Sequence, residues 1–202
     1  MSGGRLIAIE GIDGAGKTTL ARGLLEALPE LVVLREPGGA RVSERVRELV
    51  ADPELRVDAR AEALLFAAAR AQLVSEVVVP LLADGRWVVL DRFVDSSLAY
   101  QGAGRGLGVE AVAAINAFAC GDVRADLTLY VRVSPEVAAQ RVAAGGALDR
   151  IEAAGAEFFA RVVDAYDALA AAAGPERYVV LDGSDAPESV VSRALAALKR
   201  LQ

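Results

Sequence analysis

Gly11-Ile12-Asp13-Gly14-Ala15-Gly16-Lys17-Thr18 spells G-x-x-x-x-G-K-[ST] directly after the apolar run Leu6–Ile9. That pattern is chemistry for holding polyphosphate. Its glycines let the backbone bend until successive N–H groups converge on phosphate oxygens, and the helix starting behind them adds the positive end of its dipole. Lys17 would reach the β- and γ-phosphates, and the Thr18 hydroxyl would take Mg²⁺. The triphosphate-binding segment is therefore read as Gly11 to Thr19. Lysine occurs only at positions 17 and 199, so 20 of the 22 basic residues are arginine. A lysine inside this loop is accordingly more informative than in an average chain.

Other residues could serve the same chemistry. Asp91-Arg92 closes the run Trp87–Leu90. Ligands of open parallel sheets sit beyond the carboxyl ends of the strands, which places this pair beside the phosphate loop. Asp91 could hold the metal, directly or through water, and Arg92 could grip a phosphate with a bidentate fork; a surface ion pair is the alternative. Phe66 and Arg70 stand four apart and share a helix face, a ring to stack on a base beside a guanidinium to donate to its carbonyl. By residue type alone, Phe66 reads as core and Arg70 as surface. Asp13 is an odd charge to place near a triphosphate and is costly there unless it faces a donor. Arg150 follows Gly145-Gly146, which would suit a hinge under a closing lid, and otherwise reads as a solvated arginine between Asp149 and Glu152.

These residues need a frame. Apolar runs at Leu6–Ile9, Leu31–Leu34, Trp87–Leu90, Leu127–Val131 and Tyr178–Leu181 alternate with helical patterns at Thr18–Leu28, Val42–Ala51, Ala59–Ala83, Val109–Ala119, Pro135–Ala143, Ala156–Ala173 and Pro187–Leu201. The strands are apolar on both faces, as buried parallel strands are. The expectation is an α/β fold, a five-stranded parallel sheet flanked by helices, with residues 1–202 forming one domain and a short lid at about 142–155.

Further landmarks occur in order: Arg35-Glu36-Pro37-Gly38-Gly39, Phe66-Ala-Ala-Ala-Arg70, Asp91-Arg92-Phe93, Ser96-Ser97-Leu98-Ala99-Tyr100-Gln101-Gly102 and Leu148-Asp149-Arg150-Ile151-Glu152. With the phosphate loop, they make the chain similar to the thymidylate kinase (dTMP kinase) family of bacterial type, over nearly its whole length. The resemblance implies a P-loop NTPase fold of the nucleoside monophosphate kinase kind, and transfer of a phosphoryl group from Mg²⁺-ATP to dTMP. It implies Lys17, Arg92 and Arg150 as catalytic residues, with Arg150 an arginine finger from the lid. It implies a dTMP site of Asp13 (toward the sugar 3′-hydroxyl), Glu36, Pro37, Phe66, Arg70 (on a thymine carbonyl), Arg92, Ser97, Tyr100 (crowding the 2′ position) and Gln101. Thr18 and Asp91 would be the metal residues, the loop at Asp182–Asp185 would border the adenine, and a homodimer is expected. The lid departs from the pattern: between Arg141 and Arg150 it carries no other basic residue, and Arg141 could assist. The runner-up activities are a deoxynucleoside kinase and a non-catalytic ATP-binding regulator.

Composition narrows the field. The chain has 202 residues, 54% of them hydrophobic, and a formal charge of −6. The acidic balance argues against nucleic acid as the main partner. There is no histidine, so histidine triads, bases and metal sites are excluded. The single cysteine, Cys120, allows no internal disulfide and suits a reducing compartment. The only asparagine, Asn116, is followed by alanine, so the N-K-x-D guanine signature is absent. No signal-peptide layout is visible, and the most apolar stretches, such as Ala111 to Cys120, fall short of the ~18–20 residues of a bilayer span. A cytoplasmic protein without a membrane partner is expected.

Overall fold

The computed structural model describes residues 3–144 and 148–201. Five strands form one parallel sheet: β1 (Arg5–Glu10), β2 (Val32–Arg35), β3 (Trp87–Asp91), β4 (Leu127–Arg132) and β5 (Tyr178–Asp182), in the order β2-β3-β1-β4-β5. The pleat sorts their side chains between two cores. In β1, Ile7 and Ile9 join one cluster with Val89, Leu129 and Tyr166, whereas Leu6 and Ala8 join another with Val88, Leu90 and Leu73. Both faces are covered, which is why these strands are apolar throughout.

The helices are α1 (Lys17–Ala27), α2 (Arg41–Ala51), α3 (Ala59–Leu73), α4 (Val79–Ala83), α5 (Val94–Ser97), α6 (Val109–Cys120), α7 (Pro135–Ala143), α8 (Ala156–Ala173) and α9 (Pro187–Leu198). α3 runs into α4 through a π turn at Val74–Val78. Pro80 lies just beyond it; its ring has no N–H and would crowd the carbonyl of Glu76 in a regular helix. A second π turn, Leu98–Gly104, widens the segment that follows α5 and carries Tyr100 and Gln101.

One sequence expectation needs correcting. The continuous helix Ala59–Ala83 has 25 residues, and an 18-residue stretch of it reaches a mean hydropathy of 1.6, enough by length and composition to cross a membrane. It is a core helix. Leu73, Val74 and Val78 are buried against the sheet, and the buried charges Glu62 and Arg70 both have partners inside the fold. The proposed hinge, Gly145-Gly146, lies outside the described residues.

β1 sits at the centre, paired with β3 on one side and β4 on the other. The chain leaves β1 toward β2, and later crosses from β3 to β4 on the opposite side. This is a topological switch point, and the crevice at the carboxyl ends of β1, β3 and β4 is where a ligand belongs.

Candidate active site

The loop after β1 is shaped by contacts that only glycine permits. Gly11 has φ +140, and a Cβ there would stand 2.4 Å from the Val131 carbonyl oxygen. Gly14 has φ +78, and its Cβ would meet the Ala138 carbonyl oxygen at 2.6 Å. The loop therefore packs backbone to backbone against β4 and α7. Lys17 opens α1 and is buried; its Nζ donates to the Ile12 carbonyl at 3.0 Å. Burial, and then the Arg92 charge, lower the Lys17 pKa, while Asp13 opposes the shift. A cavity of about 470 Å³ runs along Gly14–Thr19 toward Gly183 and Asp185. Arg141, on α7, closes its wall by donating to the carbonyls of Gly14 (3.2 Å) and Gly183 (3.0 Å).

Arg92 follows β3 with φ +73, a left-handed conformation that costs a non-glycine residue about 1–3 kcal/mol. Its surroundings hold it there. Its N–H donates to the Ile9 carbonyl at 2.9 Å. Nη1 donates to the Gly11 carbonyl (3.0 Å) and the Ser96 hydroxyl (3.3 Å). Nη2 donates to Asp13 Oδ1 (2.6 Å) and the Tyr100 hydroxyl (3.2 Å). Burial would raise the Asp13 pKa, but the Arg92 and Lys17 charges beside it hold the carboxyl well below the usual range. The donor that Asp13 needed is thus Arg92.

Beneath this pair lies a residue the sequence reading passed over. Glu10 is buried at the end of β1. It accepts from the Phe93 N–H (2.8 Å), the Ser96 hydroxyl (2.6 Å) and the Tyr166 hydroxyl (2.9 Å), which pins the turn carrying Arg92. A carboxylate ending an apolar strand beside a phosphate loop was the available signal.

The two metal candidates face each other. The Thr18 hydroxyl lies 3.5 Å from Asp91 Oδ2, while Asp91 Oδ1 is buried without a hydrogen-bond partner among the described residues. No cluster of three His, Cys, Asp or Glu side chains suited to a metal occurs among the described residues. Two oxygen donors with a free carboxylate lone pair fit Mg²⁺, which keeps waters and phosphate oxygens as its other ligands.

Across Arg92 from the donor cavity is a slot lined by all nine of the residues Asp13, Glu36, Pro37, Phe66, Arg70, Arg92, Ser97, Tyr100 and Gln101. Arg47, Val50, Ala51, Ser96, Asp149 and Ile151 complete it. A junction of about 540 Å³, walled by Asp13, Lys17, Thr18, Glu36, Arg47, Asp91 and Arg92, joins the slot to the donor side. Arg47 had no distinguishing mark among the arginines of α2.

Arg70 reverses what its residue type suggested: it is 1% exposed. Nε donates to Glu36 Oε2 (2.6 Å), Nη1 to the Ser97 hydroxyl (2.8 Å) and to Asn116 Oδ1, and Nη2 to the Phe93 carbonyl (2.8 Å). Four of the five guanidinium hydrogens are engaged, and one on Nη2 remains. Burial pushes the Glu36 pKa up to about 7 against the pull of Arg70. Its Oε1 is buried without a partner among the described residues. Phe66 is partly buried, against Val46, Val50 and Ala69.

Arg150 departs from the sequence expectation. It lines neither the donor cavity nor the junction. Its Nη2 lies 2.7 Å from Glu62 Oε2, and its Nε donates to the Val50 carbonyl at 2.9 Å. The carboxylate it meets is buried on α3, apart from the phosphate loop. The arginines that touch that loop are Arg92, at Gly11 and Asp13, and Arg141, at Gly14.

Comparison with known proteins is consistent along the whole chain. The family model described as thymidylate kinase matches residues 9–194. A thymidylate kinase of Lactobacillus helveticus is 40% identical over 98% of this chain and 96% of its own. One of Pelotomaculum thermopropionicum is 45% identical over 98% and 94%. The crystal structure of thymidylate kinase from Ehrlichia chaffeensis superposes with a TM-score of 0.80 at 30% identity, covering 98% of this chain and 99% of that one.

Proposed function

This chain belongs to the thymidylate kinase family, and from that premise we propose how its residues carry out the reaction, ATP + dTMP giving ADP + dTDP. The observation that carries the reading is the row of three adjoining spaces with Lys17, Asp13 and Arg92 on their shared walls. Triphosphate lies along the loop, the nucleoside monophosphate fills the slot, and the two phosphates meet at the junction.

A phosphate monoester has its second pKa near ~6, so at neutral pH the acceptor is already an anionic nucleophile. No general base is needed, which suits a site without histidine. An acceptor oxygen forms a bond to the γ-phosphorus as the bond to the β–γ bridging oxygen breaks, and ADP departs with those electrons. The barrier is largely the approach of two anions, so fixed cations and alignment are the catalyst. Lys17 serves the β- and γ-phosphates. Arg92, locked by Gly11, Ser96, Asp13 and Tyr100, fixes its positive charge at the junction. Arg141 adds charge from the donor side.

The family typically uses Mg²⁺-ATP. Thr18 and Asp91 would hold the ion, which when bound neutralises charge on the triphosphate. In the slot, Phe66 offers a stacking face and Arg70 the one free hydrogen for a base carbonyl. Ser97 and Gln101 act from behind, Ser97 by accepting from Arg70 and Gln101 by donating to Glu62. Asp13 faces the sugar 3′-hydroxyl, Tyr100 crowds the 2′ position, and Glu36 and Pro37 close the end by β2.

We also propose one domain over residues 1–202 with a lid near 142–155, a cytoplasmic location and a homodimer. Phe118 on α6 is 94% exposed and Leu64 on α3 is 57% exposed, on helices that pack together, so they supply an apolar face for a second copy. The test of function is ADP release with ATP and Mg²⁺ across the nucleoside monophosphates and thymidine. Turnover is expected to be fastest with dTMP; phosphorylation of thymidine but not dTMP would overturn the reading.

A further inference from the structure

Glu62 sits in the first turn of α3 and is wholly buried. Its carboxylate gathers donors from two other parts of the chain. Oε1 accepts from Gln101 Nε2 (2.9 Å) and Arg105 Nε (3.2 Å), both on or beside the π turn after α5. Oε2 accepts from Arg105 Nη2 (3.1 Å) and pairs with Arg150 Nη2 (2.7 Å), on the segment before α8. Arg105 is held from its other side by the Phe158 ring, 4.6 Å from the guanidinium carbon.

These elements meet at the acceptor slot. α3 brings Phe66 and Arg70, the π turn brings Tyr100 and Gln101, and Asp149 and Ile151 flank Arg150 and line the slot themselves. Arg150 thus points away from the slot while both its neighbours face it. The turn around it is tied by hydrogen bonds. Asp149 Oδ1 accepts from the N–H groups of Ile151 and Glu152, each at 2.7 Å, and Glu152 Oε2 accepts from the Asp149 N–H at 2.9 Å. Its docking is equally specific, since the Arg150 N–H and Nε donate to the last carbonyls of α2, those of Ala51 and Val50.

We propose that Glu62 is a positioning residue for the acceptor nucleotide: through Arg150 it clamps the Asp149–Ile151 turn over the slot, and through Gln101 it holds the facing wall. The inference rests on the reading of this slot as the dTMP site. Arg150 then acts by placing its neighbours, and the phosphoryl group is served by Lys17, Arg92 and Arg141.

The experiment compares E62Q and R150M with the unaltered enzyme in steady-state kinetics, varying dTMP and ATP separately. Both variants are expected to raise the KM for dTMP by about tenfold or more while the KM for ATP stays within about twofold. The double variant should be no worse than the more impaired single one, because the two residues form one clamp. R150K keeps a cation within reach of Glu62 and should recover most of the loss. Trypsin should cut after Arg150 faster in E62Q than in the parent, since the scissile side chain loses its charged partner. If E62Q does not fold, R150M and R150K carry the test alone. A fall in kcat with an unchanged dTMP KM in R150M would overturn the proposal and return Arg150 to the phosphoryl group. F66A separates this inference from its premise. If F66A leaves the dTMP KM unaltered, the slot itself is misassigned; if F66A raises it while R150M does not, only the clamp fails.

Discussion

The donor side and the acceptor side of this crevice are built on opposite plans. The phosphate loop is contiguous, and its working groups are backbone N–H vectors, one lysine and one threonine. In the tertiary structure Gly11 and Gly14 press against the carbonyls of Val131 and Ala138, and Arg92 and Arg141 donate to the Gly11 and Gly14 carbonyls. The acceptor slot is assembled from side chains on the turn after β2, α2, α3, the segment after β3 and the turn before α8, with Asp13 from the loop. It is held by buried ion pairs, Arg70 with Glu36 and Glu62 with Arg105 and Arg150. Triphosphate is a repetitive anion that regular backbone geometry can bind, whereas a particular base and sugar require donors and acceptors at fixed points. Those points need buried polar groups, and buried polar groups need partners.

The sharpest break in this comparison is at Arg92, where the two plans touch. Arg92→Ala should lower kcat by roughly 10³-fold while ATP binding, measured by nucleotide titration, is retained. Full activity would remove Arg92 from the mechanism.

Next is Arg70. Replacing it by leucine leaves Glu36 buried without its cation, and breaking one partner of such a pair costs about 3–5 kcal/mol. Urea unfolding should show that loss together with a raised dTMP KM. A stable variant with impaired dTMP binding would separate recognition from structure.

Arg141→Ala tests the donor plan. It touches the loop and the Gly183 carbonyl and lines no part of the slot, so the KM for ATP should rise by about tenfold with the dTMP KM unchanged. An effect on dTMP alone would contradict it.

The smallest expected effect is a pH slope. The Glu36 pKa is pushed up to about 7 from an ordinary 4.5, so the folded state favours the protonated acid. That contribution is present below about pH 4.5 and is lost as pH rises through 7. Glu36→Gln should flatten that part of the Tm profile by a few degrees, about what 1 kcal/mol produces in a chain of this length. An unchanged profile would show that Arg70 keeps Glu36 ionised.

The alternation of five apolar runs with helical patterns, the phosphate loop, the Asp91-Arg92 pair and the absence of histidine all follow from the sequence, because each depends on local spacing or on residue type. So does the helix that carries Phe66 and Arg70. Tertiary structure decided what those side chains face. Arg70 looked like a surface arginine and became the most enclosed cation of the slot, because Glu36, Ser97, Asn116 and the Phe93 carbonyl arrive from other elements. Arg150 stood in a run suited to a mobile finger and instead turned to Glu62, 88 positions earlier in the chain. Glu62 had no local pattern to mark it, and Glu10 had only its place at the end of an apolar strand. A carboxylate's burial is tolerable only when distant donors converge on it, and that convergence is a property of the folded arrangement.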